Sequence, residues 1–517
     1  MKRKKKKSGG LLDSEARTIV PRWRPFEEAV KRDDLSASSA SSTGPASASD
    51  ELDTADYEQS LEEFRENRTA WFAGDVFVDA LARGDLAAAA EIGAFILSVE
   101  SHASAPLRQL AAQHLDPESV QPESTANYRL QIKNLRHRLR AFPRNGIAWA
   151  DLGYYLNLAG NFDAANRALS VAVQLAPNNR FVLRAVARFH IHHERFAKAQ
   201  AILNASPQTS GDPWLLAAEI AAATGAERRS PHLKAARSLV KDRVFSPLQT
   251  SELASAIGTA ELLDEAPRRQ IRTMFAASLE DPTENSLAQA EWASRQHEGL
   301  TEKPRIDDRD DTHEARAWVS FVSGDFDDSL VFAHAWLKDQ PFSPMPAQLL
   351  SWILSSLKDD HKNAIEILRR ALRPNPRDSG LLNNIAFAYA SDNKTKMARR
   401  YIDRAMLCCD DDDDDTRLII TATRGLIAFR EGRPEHGRAL YHEVIERALS
   451  TNADTRIAAM AWSNLAREEV LAQQSEFAPT AAAQALDHGR ASKEASVRAF
   501  VEHIEPLLLP QLAGAGR

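Results

Sequence analysis

The sequence predicts an all-α fold, arranged as a solenoid of helical hairpins, and three observations support this. The 517 residues are 43% hydrophobic, and the apolar residues are mostly Ala and Leu, which favour helices. They recur at spacings of three and four, the pattern of amphipathic helices. A common set of small and apolar residues also returns about every 34 residues. A chain of this length exceeds one ordinary core, and stacked repeats avoid that limit.

The clearest repeating unit runs from 146 to 179. Its characteristic residues are Trp149, Leu152, Gly153, Tyr155, Gly160, Phe162, Ala165, Leu169, Ala172 and Pro177. Gly153 and Ala165 are small, which allows two helices to cross closely. Gly160 supplies the turn between those helices, and Pro177 ends the second one.

These residues resemble the 34-residue tetratricopeptide repeat almost position for position. The same frame returns at 180–213, 251–284, 310–343, 345–378, 379–412 and 418–451, with a degenerate unit at 70–103. The stretches 104–145, 214–250 and 285–309 fit it poorly. The resemblance implies a right-handed α-solenoid of helix-turn-helix repeats that binds other proteins.

The expected domain organisation follows the repeats and the composition. It comprises a basic, Ser-rich disordered tail (1–50), an N-terminal helical region with the degenerate repeat (51–145), a first tetratricopeptide-like run (146–300), a polar linker (301–312), a second run (313–451) and C-terminal capping helices (452–517). The tail is assigned because 36–50 is low-complexity sequence with little to bury. Capping helices are expected because an open array needs a polar outer face at its end.

Charge and cysteine content narrow the functional class. The net charge is -7, yet residues 1–32 hold eleven Lys or Arg against four Asp or Glu, so the rest of the chain is acidic. An acidic body argues against a nucleic-acid-binding fold. The two cysteines are adjacent, which excludes a disulfide framework. With no apolar stretch long enough to span a membrane and no signal peptide, a cytoplasmic protein is expected, and abundant Ala, Arg and Asp suit a bacterial source.

No catalytic or nucleotide-binding signature occurs. We therefore expect no enzyme, no catalytic residue, no cofactor and no small-molecule substrate. His190 and Glu194 are four residues apart on one helix face, but no third ligand is apparent, so no metal site is predicted. The aspartates 410–415 favour a solvated loop, whose last member, Asp415, would cap a helix beginning near Thr416.

The family resemblance places the first helix of each pair on the concave surface. The partner-binding positions that it implies are Tyr154, Asn157, Arg184, Arg188, Trp318, Phe321, Leu349, Ile353, Asn383, Phe387, Leu426 and Phe429. The early positions are polar and cationic, whereas the later ones are largely apolar and suit an amphipathic helix or an extended peptide. The alternative is that these side chains pack between helices. Asn383 and Asn384 resemble part of a carboxylate clamp, but no matching lysine accompanies them.

The N-terminal tail carries two further candidate sites. Lys4, Lys5, Lys6 and Lys7 form a like-charge block that would contact a polyanion such as nucleic acid, an acidic partner or an anionic membrane surface. Arg22, Trp23 and Arg24 lie between two prolines and form a candidate docking motif. Alternatively, that segment folds back on the solenoid.

The sequence therefore predicts a protein-interaction scaffold or adaptor that binds a partner peptide, helix or protein through its concave surface. Two alternatives stay open. One is a nucleic-acid-associated or regulatory protein that uses its basic tail. The other is a non-catalytic subunit of a multi-protein bacterial system, such as defence or envelope assembly.

Overall fold

The computed structural model describes residues 21–31, 49–66, 85–99, 105–115, 125–297, 309–450, 455–473 and 476–514, with isolated positions at 68–69, 73–74, 76–77, 80, 103, 300 and 306. Every regular element in these ranges is helical, which confirms the predicted all-α class. No helix in the described ranges is both long and apolar enough to cross a membrane.

The chain divides into two compact units, residues 20–238 and 239–517. The described helices of the first unit are α1 (Phe26–Lys31), α2 (Ser49–Glu66), α3 (Leu86–Ser98), α4 (Ala105–Leu115), α5 (Thr125–Ala141), α6 (Gly146–Leu158), α7 (Phe162–Leu175), α8 (Arg180–His192), α9 (Phe196–Ala205) and α10 (Pro213–Gly225). Helix α11 (Leu233–Lys241) crosses the division. The division lies near residue 238, whereas most of the expected polar linker at 301–312 lies outside the described residues.

The second unit continues the same alternation of antiparallel helices. Its described helices are α12 (Pro247–Leu263), α13 (Arg268–Ser278), α14 (Glu284–Gln296), α15 (His313–Ser323), α16 (Phe326–Asp339), α17 (Pro344–Leu357), α18 (His361–Ala371), α19 (Ser379–Ser391), α20 (Thr395–Cys408), α21 (Asp414–Arg430), α22 (Pro434–Ser450), α23 (Thr455–Leu471), α24 (Ala478–Ala491) and α25 (Ala495–Gly514).

A left-handed residue joins the two helices of successive pairs. These turn residues are Gly160, Glu194, Glu227, Glu265, Gly324, Asp359, Asn393, Gly432 and Gln473. Gly160 and Glu194 are 34 residues apart, and so are Asp359 and Asn393. These two intervals equal the predicted 34-residue period, so the predicted solenoid of helix pairs is confirmed. The turn at Glu227 shows that the poorly matching stretch 214–250 also contains a helix pair.

Small residues set the distance between paired helices, as the sequence predicts. A Cβ built at Gly153 in α6 would lie 2.5 Å from Leu169 Cγ in α7. Ala165 is fully buried at the same crossing. Side chains then fill the space between successive pairs, and one continuous apolar core runs from Ala317 to Leu508 in the second unit.

The last helix of the second unit does more than continue the array. Helix α25 packs on α23 and α24, and it also contacts α15 and α17 from the beginning of the run. His503 Nε2 lies 3.0 Å from Asp359 Oδ2 in the turn after α17. The chain end therefore returns along the array and covers part of its inner face.

Candidate functional site

An open cavity, the 351–497 cavity, lies on the inner face of the second unit. Helices α17, α19, α21, α22 and α23 and the first turn of α25 contribute its walls. The lining residues are Ser351, Trp352, Ser355, Ser356, Asn383, Asn384, Phe387, Ile419, Ala422, Thr423, Tyr441, Arg456, Ile457, Met460, Ala461, Asn464, Ser496 and Val497. It encloses about 960 Å³ of empty space, part of which is open to solvent.

Three polar atoms in the wall of the 351–497 cavity have no hydrogen-bond partner in the part of the chain that the structure describes. They are Ser355 Oγ, Asn383 Oδ1 and Asn464 Oδ1, each of them buried. Ser355 is 2% exposed and Asn383 is 3% exposed. Leaving a buried polar atom unpaired costs about 1–3 kcal/mol, so a bound group that satisfied these atoms would gain affinity from them.

A buried ion network positions the aromatic side chain of Phe387 in this wall. The Arg467 guanidinium lies 5.6 Å from the Phe387 ring centroid and 5.7 Å from that of Phe500. Arg467 Nε donates to Glu468 Oε1 at 3.1 Å, and Arg430 donates to both carboxylate oxygens at 2.6 and 3.0 Å. Glu468 is only 1% exposed. Its charge is therefore balanced inside the protein, and Arg467 is fixed over the Phe387 ring.

The other predicted groove residues of the second unit lie in its core. Trp318, Phe321, Leu349, Ile353, Leu426 and Phe429 are all buried. The Trp318 ring is covered by the Arg295 guanidinium, 4.8 Å from its centroid. In this structure these six side chains hold helices together, and only Asn383 and Phe387 of the predicted set line the 351–497 cavity.

In the first unit, the predicted groove residues meet the N-terminal residues 21–31, here called the docked segment. Trp23 is 1% exposed, and its ring packs edge-on against Tyr154 and Phe189 at centroid distances of 5.3 and 6.0 Å. Phe26 packs on Phe181 at 5.2 Å, and its backbone N–H donates to Asp151 Oδ1 at 2.9 Å. The alternative of a segment that folds back on the solenoid is therefore the one the structure shows.

Three arginines, Arg22, Arg24 and Arg184, line the same small cavity as Trp23. Arg24 is 2% exposed and Arg22 is half-buried. Arg184 lies over the Trp214 ring at 4.9 Å. Burial and the nearby charge of Arg22 lower the pKa of Arg188 to about 9. Lys4 to Lys7 lie outside the described residues, so polyanion binding by the tail stays a prediction.

Two histidines at the end of α8, His190 and His193, are uncharged at neutral pH. Burial, together with neighbouring cations, lowers the pKa of His190 to about 3 and that of His193 to about 4. His193 Nε2 lies 2.9 Å from Oδ1 of the fully buried Asn157. Among the described residues, no group of three or more His, Cys, Asp or Glu side chains is arranged to hold a metal ion.

Acidification is expected to destabilise the first unit. The unfolded chain binds protons on His190 and His193 near pH 6.5, whereas the folded chain does so only near 3 and 4. Stability therefore falls as the pH falls from 6.5 towards 4. The loss is about 2 kcal/mol at pH 5, after a discount for the partial exposure of His193. Hydrogen-exchange protection factors of α8 at pH 7 and pH 5 measure it. A His190→Gln, His193→Gln variant should lose this dependence, and equal protection of the native chain at both pH values would contradict it.

The aspartate-rich loop acts as a helix cap, at a position different from the predicted one. Helix α21 begins at Asp414, and Asp413 Oδ1 accepts the Thr416 N–H at 3.1 Å. Asp415 lies in the first turn of the helix, so it is not the capping residue. The reason is that the helix starts two residues earlier than the apolar pattern suggests.

No model of a known protein family matches the sequence, and no curated protein matches it. Solved structures do share the helical architecture. Yeast Tom70 has a TM-score of 0.29 at 13% identity, over 86% of this chain and 97% of that chain. The Cut9-Hcn1 hetero-tetramer of APC/C has 0.35 at 12%, over 88% and 93%. Human IFIT1 with PPP-AAAA has 0.37 at 14%, over 76% and 96%. At these TM-scores the structural similarities do not indicate the function of this chain.

Proposed function

We propose that this protein is a non-catalytic protein-binding scaffold, and that its 351–497 cavity binds an extended peptide segment of a partner protein. The observation that carries the proposal is the composition of the cavity wall. Apolar side chains surround buried polar atoms that have no hydrogen-bond partner among the described residues. Sites that bind peptides combine these two features, because the backbone needs hydrogen bonds while the side chains need apolar pockets.

The polar atoms suit a peptide backbone in particular. Ser355 offers a hydroxyl, and Asn383 and Asn464 each offer an amide oxygen, because their amide nitrogens donate to Asn384 Oδ1 at 3.4 Å and to the Met460 carbonyl oxygen at 2.9 Å. A peptide backbone presents N–H donors at regular intervals, which suit these acceptors. A neighbouring amide is already engaged, since Asn384 Nδ2 donates to Ser351 Oγ at 3.1 Å. It therefore contributes to the shape of the wall.

The apolar part of the wall provides an anchor pocket. Trp352, Phe387 and Met460 lie along it, and each is only partly buried. Aromatic side chains in such pockets supply much of the binding energy of an interface, and methionine adapts its shape to different ligands. The partner segment should therefore carry at least one large apolar side chain.

The same wall argues against catalysis at this site. The lining side chains include no carboxylate, histidine, cysteine or lysine among the described residues. General acid–base catalysis needs a group that exchanges protons near neutral pH. Tyr441 is fully buried, and burial raises its pKa further above the ordinary value. The serines have no general base among the lining side chains to activate them.

A blocking substitution tests the proposal. Ala422 is half-exposed in the cavity wall on α21, so an Ala422→Trp side chain would fill the cavity without removing a core contact. Peptides would first be selected from a random library against the full-length protein, and their dissociation constants measured by fluorescence anisotropy. We expect Ala422→Trp to weaken binding at least ~tenfold, which corresponds to about 1.4 kcal/mol.

Arg424→Trp is the matched control, since it adds the same side chain at an exposed position two residues further along α21. It should change peptide affinity by less than about twofold. Equal affinity for native and Ala422→Trp proteins would remove the 351–497 cavity as the site. Failure of the full-length protein to select any peptide would overturn the proposal as a whole.

The tail-based function and the wider assembly stay predictions. Arg24 is buried and Arg22 half-buried in the docked segment, so polyanion binding by these arginines would require the segment to leave its surface. Membership of a multi-protein bacterial system and a cytoplasmic location likewise remain expectations from the sequence.

A further inference from the structure

The inner surface of the first unit has its own occupant. Residues 21–31 reach it from far away in the sequence, and the Phe26 N–H to Asp151 bond joins residues 125 positions apart. We propose that the docked segment is an exchangeable intrachain ligand. Its surface is a peptide-docking site for an Arg-Trp-Arg motif between prolines, and a segment of the same chemistry from another chain would compete for it.

The contacts have the anatomy of a short bound peptide. Two aromatic anchors, Trp23 and Phe26, account for the ring contacts of the segment with Tyr154, Phe189 and Phe181. One backbone N–H is fixed by a carboxylate, which sets the register. Peptide ligands gain affinity from a few buried aromatic side chains, and they gain specificity from one or two directed hydrogen bonds.

The prolines on either side of the motif favour recognition by a preformed surface. Pro21 is buried and Pro25 half-buried, and the fixed φ of proline reduces the entropy that a peptide loses on binding. After Pro25 the chain forms helix α1, whose Ala29 faces the surface and is 6% exposed. The docked part is therefore short and continuous, so another chain could supply all of it.

The covalent link to α2 raises the effective concentration of the docked segment at its surface. Residues 32–48 join α1 to α2, and the stretch 36–50 contains no Leu, Ile, Val, Met or aromatic residue. A short tether of this kind gives an effective concentration of the order of millimolar. At that effective concentration, a segment with only micromolar intrinsic affinity would be docked in nearly all molecules. A competitor would open it only at high local concentration or with tighter binding.

Cationic groups limit the strength of the docked state. The positive charge of Arg22 lies close enough to Arg188 to contribute to the lowering of its pKa. Like charges brought together on docking oppose it, while the aromatic contacts favour it.

Cleavage of the tether tests whether docking is independent of the covalent link. A protease recognition sequence would be inserted between residues 36 and 48 of the full-length chain and cut after folding. We expect the N-terminal fragment to co-elute with the body in gel filtration at micromolar concentration. With Trp23→Ala it should separate, whereas Glu28→Ala, at an exposed position of α1, should behave as the native chain does.

Exchange is tested on the uncut chain with a fluorescein-labelled synthetic peptide of residues 19–32. It should bind the Trp23→Ala protein at least ~tenfold more tightly than the native protein, whose surface is occupied. A peptide carrying the same Trp→Ala change should bind neither protein. Equal binding to both proteins, no binding to a folded Trp23→Ala protein, or separation of the cut native fragment would each overturn the proposal. None of these results bears on the 351–497 cavity.

Discussion

Replacing Glu468 with alanine is expected to lower the stability of the second unit by about 3–5 kcal/mol, the usual result of breaking a buried ion pair from one side. Glu468 is 1% exposed and accepts hydrogen bonds from both Arg430 and Arg467. Its removal leaves two guanidinium groups without this counter-charge. The measurement is the hydrogen-exchange protection of α21 and α23 in the full-length protein, which reports local stability directly.

The same substitution should affect ligand binding. Arg467 packs on Phe387 and Phe500 while Glu468 fixes its guanidinium, so losing the carboxylate frees both the arginine and the aromatic wall of the 351–497 cavity. Selected peptides should bind more weakly to Glu468→Ala than to the native protein.

Glu443→Ala provides the comparison for Glu468→Ala. Glu443 pairs with Arg447 at 3.6 Å, but both side chains are 51% exposed, and an exposed pair contributes about 0–1 kcal/mol. A loss for Glu468→Ala no larger than the loss for Glu443→Ala would show that the buried network does not stabilise the fold.

The repeat architecture was predictable because its signals are local. Gly153, Gly160 and Ala165 act within one helix pair, and their spacing fixes the turn and the crossing before any other part of the chain matters. The turn residues also show the limit of that signal. Glu194 and Asp359 adopt the left-handed conformation without being glycine, so the pairs that use them match the family pattern less clearly.

The surface was harder to predict than the fold. A solenoid helix has neighbours on several sides, and apolar periodicity does not tell which apolar side chain faces a neighbour and which faces a ligand. Leu349 and Ile353 fit the inward frame, yet both are fully buried. The return of α25 along the array is a long-range contact, and no local pattern encodes it.

Two features of the structure, the buried ion network and the docked segment, correspond to sequence patterns from which they were not fully predicted. The charged run Arg467-Glu468-Glu469 lies near the end of the Ala-rich helix α23, and sequence analysis drew no inference from it. In the structure both carboxylates are buried, and Glu469 is 1% exposed and paired with Arg438. The cluster around Trp23 was predicted as a candidate docking motif, with folding back on the solenoid as the alternative. Its binding surface could not be identified, because a contact across 125 residues depends on the folded position of α6 and α8.

Replacing Gly437 with leucine should be the most disruptive single change in the helix pair α21 and α22, with an expected loss of about 3 kcal/mol or more. A Cβ at Gly437 would lie 2.4 Å from Phe429 Cδ2 and 2.8 Å from the carbonyl oxygen of Gly425. The carbonyl belongs to the backbone of the facing helix, so it cannot move aside as a side chain would. The gain in helix propensity from replacing glycine, about 1 kcal/mol, is too small to offset the clash.

Gly437→Ala separates the backbone clash from the bulk of the larger side chain. It should still destabilise the pair, by about 1–3 kcal/mol, because the Cβ alone meets the carbonyl. Gly211→Ala is the control: no atom lies within 4 Å of a Cβ there, and its φ of -114° is open to alanine. Urea unfolding followed by circular dichroism measures all three variants. If Gly437→Ala were as stable as Gly211→Ala, the close approach of α21 and α22 through Gly425 and Gly437 would not be what sets their spacing.

Since α21 carries Ile419, Ala422 and Thr423 into the wall of the 351–497 cavity, a shift of this helix should also weaken peptide binding there.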